Sequence, residues 1–258
     1  MKEQNHKYGF LMDASLCIDC RACLVACSVE NNVPMEHTRI WIKETGVQGQ
    51  FPELERHSIP FHCMHCLDPS CVSACTVGAL QVNDDGVVIY DNDRCIGCRY
   101  CMYACPFGVP NFEWEQRFAL IVKCDLCVDR MAEGRQPACA ATCPTQAITF
   151  GYREGLLDLA RTRIKNKPDS YIDHIYGENE NGGTSTYYIS PVPFDEMGFP
   201  AADCGESPAH FNRLVTHGTP TVAAGVAIAM TAAYQAIKRQ GEDNALAEED
   251  HAQTDEEE

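Results

Sequence analysis

Sixteen of the seventeen cysteines in this 258-residue chain fall into four groups of four, and every group closes with a C-x3-C step. Cys17, Cys20, Cys23 and Cys27 follow C-x2-C-x2-C-x3-C. Cys95, Cys98, Cys101 and Cys105 repeat that spacing, with Pro106 next. Cys63, Cys66, Cys71 and Cys75 follow C-x2-C-x4-C-x3-C. In Cys124, Cys127, Cys139 and Cys143, eleven residues separate the inner pair, and Pro144 follows. Thiols in such numbers form disulfides, hold zinc or ligate iron–sulfur clusters. A disulfide needs Cα atoms roughly 4.4–6.8 Å apart with suitably directed Cβ vectors, and three cysteines within seven residues would compete for partners. Structural zinc takes C-x2-C knuckles in pairs from separate turns and has no use for a third and fourth cysteine on the next helix turn. A cubane does need them. The C-x2-C-x2-C loop wraps three corners, and the cysteine four positions on points along a short helix toward a second cluster. Proline after the last cysteine fixes φ, removes a donor and matches the bacterial two-cluster run. The pattern is therefore read as the ligand set of four [4Fe–4S] clusters.

The chain between the groups sets their pairing. Leu80 to Tyr90 reads LQVNDDGVVIY, two apolar runs around Asp84-Asp85-Gly86, which is a hairpin signal. A hairpin between two cysteine loops is the layout of a two-cluster ferredoxin, so the second and third groups pair and the first and fourth form an outer pair. The crossed rule then expects Cys17, Cys20, Cys23 and Cys143 in one cluster, and Cys124, Cys127, Cys139 and Cys27 in another. It expects Cys63, Cys66, Cys71 and Cys105 in a third, and Cys95, Cys98, Cys101 and Cys75 in the fourth. The crossing follows from the spacing; which cysteine completes which cage is left open. Strand-like runs lie at 8–12, 39–42, 57–61 and 147–150, and short helices are expected at 21–30 and 99–104. Residues 153–165 read as an amphipathic surface helix, and the Gly-rich 177–183 as a turn or exposed loop. The fold class expected is α+β: tandem or nested two-cluster ferredoxin-like folds with a C-terminal transmembrane helix. Cubane ligation would supply much of the folding free energy.

Composition narrows the partners. Against 20 Lys+Arg stand 37 Asp+Glu, for a formal net charge of -17, which disfavours nucleic acid because phosphate contacts need cations. Nine of the acids lie after Arg239 in a tail without Lys or Arg, read as a disordered, solubilising run. The N-terminus shows neither a signal-peptide pattern nor a twin-arginine pair. From Thr219 to Ile237 no residue is charged. As a helix, that length spans about 28 Å, close to a bilayer core. It is Ala-rich, so a buried soluble helix is the competing reading, but Gly225, Ala229 and Ala233 make a small-residue stripe suited to packing in lipid. Lys238 and Arg239 after the span outnumber Arg213 before it, which places the C-terminus inside and the cluster body on the extracytoplasmic, periplasmic face; the cytoplasmic face is the alternative.

Over residues 8–200 the chain resembles the four-cluster iron–sulfur subunits of the DMSO-reductase iron–sulfur family, which serve formate dehydrogenases, uptake hydrogenases and DMSO, polysulfide and nitrate reductases. The four groups carry the likeness, with CIGCRYCMYACPFGVP from Cys95 and KCDLCVDRMAEGRQPACAATCPTQAI from Lys123. Some members replace a ligand in the third group; Cys98 is a cysteine here, implying a complete set. Gly177 to Pro200 is similar to the segment after the clusters in hydrogenase and formate dehydrogenase partners. The resemblance implies a non-catalytic electron-transfer subunit between a molybdopterin or nickel–iron catalytic subunit, or a multihaem cytochrome, and an integral membrane quinone-reactive subunit. It also implies a C-terminal anchor and export alongside a twin-arginine-bearing partner. A soluble polyferredoxin shuttling among several partners is the alternative, and an enzyme with one cluster open to substrate is a third.

The domain division expected is 1–152 for the double four-cluster unit, 153–206 for an extension packing on clusters or a partner, 207–240 for the juxtamembrane segment and span, and 241–258 for the tail. His62 and His65 are expected near the clusters or at the surface rather than as ligands, and Cys204 as a free thiol. Lys123 and Arg130 are expected to stabilise an anionic cluster nearby, and Trp41 and Trp114 to pack.

Overall fold

The run Tyr8–Asp13 is apolar almost throughout, which suits a strand covered on both faces rather than one facing water. In the computed structural model, which describes residues 6–112, 114, 120–201 and 207–255, this run is β1, the centre of a three-stranded sheet. The elements that follow are α1 (Ala22–Glu30), β2 (Trp41–Glu44), β3 (Gln48–Gln50), β4 (Glu53–Glu55), β5 (Ser58–Phe61) and α2 (Ser70–Ser73). Next come β6 (Leu80–Val82), β7 (Val88–Tyr90), α3 (Tyr100–Ala104), β8 (Asn111–Phe112), β9 (Ile121–Val122), α4 (Val128–Ala132) and α5 (Ala138–Thr142). The chain then forms β10 (Ile148–Tyr152), α6 (Arg153–Asn166), β11 (Thr186–Ile189) and α7 (Ala209–Asp255).

The mixed helix–strand, ferredoxin-type architecture is nested. β1 leads into the first cysteine group and β10 leaves the fourth, and the two pair antiparallel with Tyr8 opposite Tyr152 and Met12 opposite Ile148. β6 and β7 form the expected hairpin between the second and third groups, Leu80 opposite Tyr90. The helices repeat this plan: α1 packs on α5, and α2 on α3. Side chains alternate across β1. Phe10 and Met12 enter the large core that holds the cysteines, whereas Leu11 faces Leu156, Ala160, Tyr171 and Tyr187 on the other side.

After residue 152 the chain packs back on the sheet: β11 adds parallel to β1 and α6 covers the far face of the same sheet. The junction is tight enough to demand glycine: a Cβ on Gly9 would lie 2.0 Å from the Ser185 carbonyl oxygen, which accepts the Phe10 N–H at 2.9 Å. The Gly-rich 177–183 stretch is a turn but is largely buried. The Glu180 carboxylate, 5% exposed, accepts the Gly177 N–H at 2.6 Å and so meets the turn's polar requirements from within.

Residues 1–212 form one unit and residues 213–258 another. In the second, helix α7 runs with Pro220 inside it. The stretch Ala209–Gly241, which includes the expected span, is long and apolar enough to cross a membrane, with mean hydropathy 1.3 and none of that window buried. Two of its hydroxyls are absorbed by the helix itself, Thr219 donating to the Val215 carbonyl at 2.6 Å and Thr231 to that of Ala227 at 2.8 Å. The acidic stretch after Arg239, expected to be disordered, instead continues the helix to Asp255; its Ala, Leu and Glu residues are strong helix formers.

Candidate metal centres

The sixteen described cysteines are all free thiols, and they gather in sets that draw on more than one group. Cys17, Cys20, Cys23 and Cys143 line one apolar cavity with Ile18, Ile42, Pro60 and Ile148. Burial pushes the Cys23 thiol up to about 12, with Cys17, Cys143 and Cys20 adding to the rise. Burial likewise takes Cys27 to about 12, helped by Cys127 and opposed by the Arg39 guanidinium. Cys124 stands well above its ordinary value through burial, then Asp125, Cys27 and Cys139. Cys139 is raised by burial, then Cys27 and Cys127. Around the hairpin, burial and then Cys63, Cys71 and Cys105 raise Cys66. Cys101 reaches about 12 through burial, then Cys98, Cys75 and Cys95.

Thiols this buried and this close cannot ionise together without compensating positive charge. Iron supplies it, since a coordinating thiol is deprotonated by the metal. The residues therefore fit iron–sulfur clusters. Among the described residues no group of three or more His, Cys, Asp or Glu side chains forms a single-ion site.

One backbone device recurs in all four C-x2-C loops. The residue before the second cysteine has a positive φ: Asp19 at 53°, His65 at 45°, Gly97 at 66° and Leu126 at 61°. Three of these are not glycine, and each such left-handed residue costs roughly 1–2 kcal/mol. The turn aims a main-chain N–H back at the first cysteine. Gly97 N–H donates to Cys95 Sγ (3.4 Å) and Leu126 N–H to Cys124 Sγ (3.4 Å), and the Asp19 N–H does the same for Cys17. Donors of this kind stabilise thiolate charge. Arg21 and Arg99 repeat the left-handed turn one step later and open α1 and α3.

The remaining expected site residues separate by burial. His62 and His65 are both fully buried, which corrects their surface alternative. His62 Nδ1 lies 2.9 Å from the Cys63 carbonyl, and burial lowers its pKa to about 4, so the ring is neutral. His65 Nδ1 accepts the Val88 N–H at 3.2 Å, and burial followed by the Lys123 charge lowers its pKa further. Lys123 is buried, whereas Arg130 is tied to Glu30 at 2.7 Å and to the Gln136 carbonyl at 2.7 Å. Trp41 packs against the main core. Trp114 does not: it is half exposed, with the Arg99 guanidinium 4.2 Å from its ring centroid. Cys204 lies outside the described residues.

Three residues escaped sequence reasoning. Arg39 bonds Asp125 at 2.6 Å and Asn31 at 2.9 Å, Asn31 in turn donates to Cys27 Sγ at 3.6 Å, and the buried Asn181 lies beside the Cys66 thiol. None sits at a cysteine-like spacing, so no local signal marked them.

The chain is similar to known iron–sulfur proteins. Residues 54–153 match the 4Fe-4S dicluster domain family. The chain is 40% identical over 251 residues to a protein of Nitratidesulfovibrio vulgaris Hildenborough, covering 90% of this chain and 67% of that one. It is 35% identical over 240 residues to the hydrogenase-2 operon protein HybA of Escherichia coli O157:H7, covering 76% and 73%. With the iron–sulfur subunit of the nitrate-inducible formate dehydrogenase of Escherichia coli K12 it shares 36% over 200 residues, covering 69% and 66%.

Proposed function

This chain belongs to the family of 4Fe-4S electron-transfer subunits, which are not the catalytic subunits of their complexes, and on that premise we propose that it relays single electrons through four clusters within a membrane-bound respiratory oxidoreductase. When bound, a [4Fe–4S] cluster supplies reversible one-electron storage. The ligand sets proposed are Cys17, Cys20, Cys23 with Cys143; Cys124, Cys127, Cys139 with Cys27; Cys63, Cys66, Cys71 with Cys105; and Cys95, Cys98, Cys101 with Cys75.

The observation that carries the reading is the chain of repulsion that links the sets in sequence. Each set holds buried thiols raised by neighbours in the same set, and across sets Cys23 adds to the rise of Cys139, Cys63 to that of Cys124, and Cys101 to that of Cys71. That order supports a linear wire from the Cys17 set through the Cys124 and Cys63 sets to the Cys95 set. The chain's own residues wrap each cage, point N–H groups at sulfur and keep water from the middle of the row.

The partners proposed are a molybdopterin or nickel–iron catalytic subunit at one end and an integral quinone-reactive subunit at the other, with residues 219–237 anchoring the chain and the cluster body on the extracytoplasmic face. The apolar, unburied α7 supports the anchor. Affinity purification of the full chain from anaerobically grown cells, in buffer and in detergent, tests this. The expected result is detergent-dependent recovery together with both partner subunits. Recovery of the chain alone from the soluble fraction would favour a polyferredoxin shuttle instead. Protease added to intact spheroplasts is expected to cut the cluster body; protection would move it to the cytoplasmic face.

A further inference from the structure

Lys123 is 3% exposed and immediately precedes Cys124. Its ammonium donates to two main-chain carbonyls, those of Val88 and, at 2.8 Å, Cys124. Neither acceptor carries a charge, and among the described residues no carboxylate is recorded as its partner. Other cations near these groups are spent differently: Arg39 is held by Asp125 at 2.6 Å and Arg130 by Glu30 at 2.7 Å. Taking an ammonium out of water without a counter-charge costs several kcal/mol. Negative charge must therefore come from elsewhere.

Two sources flank it. Cys124 belongs to one middle set, and the Lys123 charge acts on Cys71 of the other, lowering that thiol against its burial. Across the same junction Cys63 adds to the rise of the buried Cys124 thiol. Val88, whose carbonyl receives Lys123, is also held through its N–H, which donates to His65 Nδ1 inside the Cys63–Cys66 loop. A [4Fe–4S]²⁺ core with four thiolates carries a net charge of about -2. Two such anions side by side in a buried site repel, and a fixed cation between them relieves both.

Resting on the four-cluster reading above, we propose that Lys123 is a positioning residue: a buried counter-cation shared by the clusters of the Cys124 and Cys63 sets, raising the potentials of the middle pair relative to the two ends. Among the described residues this ammonium has no carboxylate partner, unlike the part-buried Arg39 and Arg130.

The test is an EPR-monitored redox titration of the intact complex, wild type against Lys123→Gln and Lys123→Arg, with iron and acid-labile sulfide counted in each. Gln keeps a donor for the carbonyls and loses the charge; Arg keeps the charge. Lys123→Gln is expected to lower two of the four midpoint potentials by about a tenfold change in the oxidised-to-reduced ratio, 59 mV for a one-electron couple. The other two should stay in place, and Lys123→Arg should restore the pair. If the Gln variant instead loses iron, loss from two clusters that Arg restores upholds the proposal. Four unmoved potentials, four that move together, or an Arg variant that behaves like Gln would overturn it. A wild-type complex short of four clusters would instead overturn the function on which the proposal rests, so the two failures are distinguishable.

Discussion

The two ends of the cysteine row and its middle are built from nearly the same loop yet meet opposite surroundings. At the ends, the sequences Cys17-Ile18-Asp19-Cys20-Arg21 and Cys95-Ile96-Gly97-Cys98-Arg99 present Cys20 and Cys98 to the surface. Ile18 and Ile96 are each 65% exposed beside them. In the middle, Cys63, Cys71, Cys124, Cys127 and Cys139 are all buried. Cys63, Cys124 and Cys139 lie in a core shared with Phe10, Met12, Tyr176 and Tyr188, and Cys71 in one with Leu80 and Phe112. The difference is not in the loops but in what the rest of the chain lays over them. β1, β11 and the buried turn around Glu180 close the middle, while at the ends Cys23 and Cys101 are buried but Cys20 and Cys98 stay exposed. An electron carrier needs this division: open edges where partners come close, and a dry interior where charge is tuned by fixed groups rather than by water.

The largest expected contrast comes from removing one ligand in each region. Cys98→Ala should leave a folded chain with about twelve irons, since each cage holds four. Cys139→Ala should cost more than its own four irons, because the middle cages also serve as core. Iron content and limited proteolysis together check this; equal losses would erase the distinction. Gly9→Val comes next, as its side chain would strike the Ser185 carbonyl and part β1 from β11. It is expected to lower iron loading and soluble yield sharply, whereas Gly155→Ala, with open space around it, should change neither.

Asp13→Ala is smaller. The fully buried Asp13 carboxylate holds Arg163 at 2.8 Å, Tyr171 at 2.9 Å and the Ser15 hydroxyl at 2.6 Å, fixing the chain just ahead of Cys17. Breaking a buried pair costs about 3–5 kcal/mol, so the thermal midpoint should fall while iron per folded chain holds. The smallest effect is expected at an end. Trp114→Ala removes a half-exposed ring from the Arg99 guanidinium and should cost about 0.5–1 kcal/mol, with a thermal midpoint shifted by a few degrees at most and no loss of iron.

What the sequence disclosed and what it hid divide along the same line. The Leu80–Tyr90 hairpin, β1, α1, α3 and α6 are local features, carried by period and turn residues, and each lies within a residue or two of its expected place. The cysteine spacing likewise announced the chemistry, because ligands on one loop must be close in sequence. The cover over the middle was not legible. Residues 177–183 look like an exposed loop because they are polar, and only the tertiary fold turns Glu180 and Asn181 inward. His65 and Lys123 hold the N–H and the carbonyl of Val88 through contacts 23 and 35 residues apart, a separation no local pattern encodes. Trp114 lies between the two: its ring packs against Phe112, centroids 6.0 Å apart, and the Arg99 guanidinium while staying half exposed.

The central claim is that four four-thiol sets each hold a cage. Anaerobically isolated full-length chain should contain about sixteen irons and as many acid-labile sulfides, and full reduction should give EPR spins integrating to about four per polypeptide. Eight irons or fewer, or zinc in place of iron, would contradict the account.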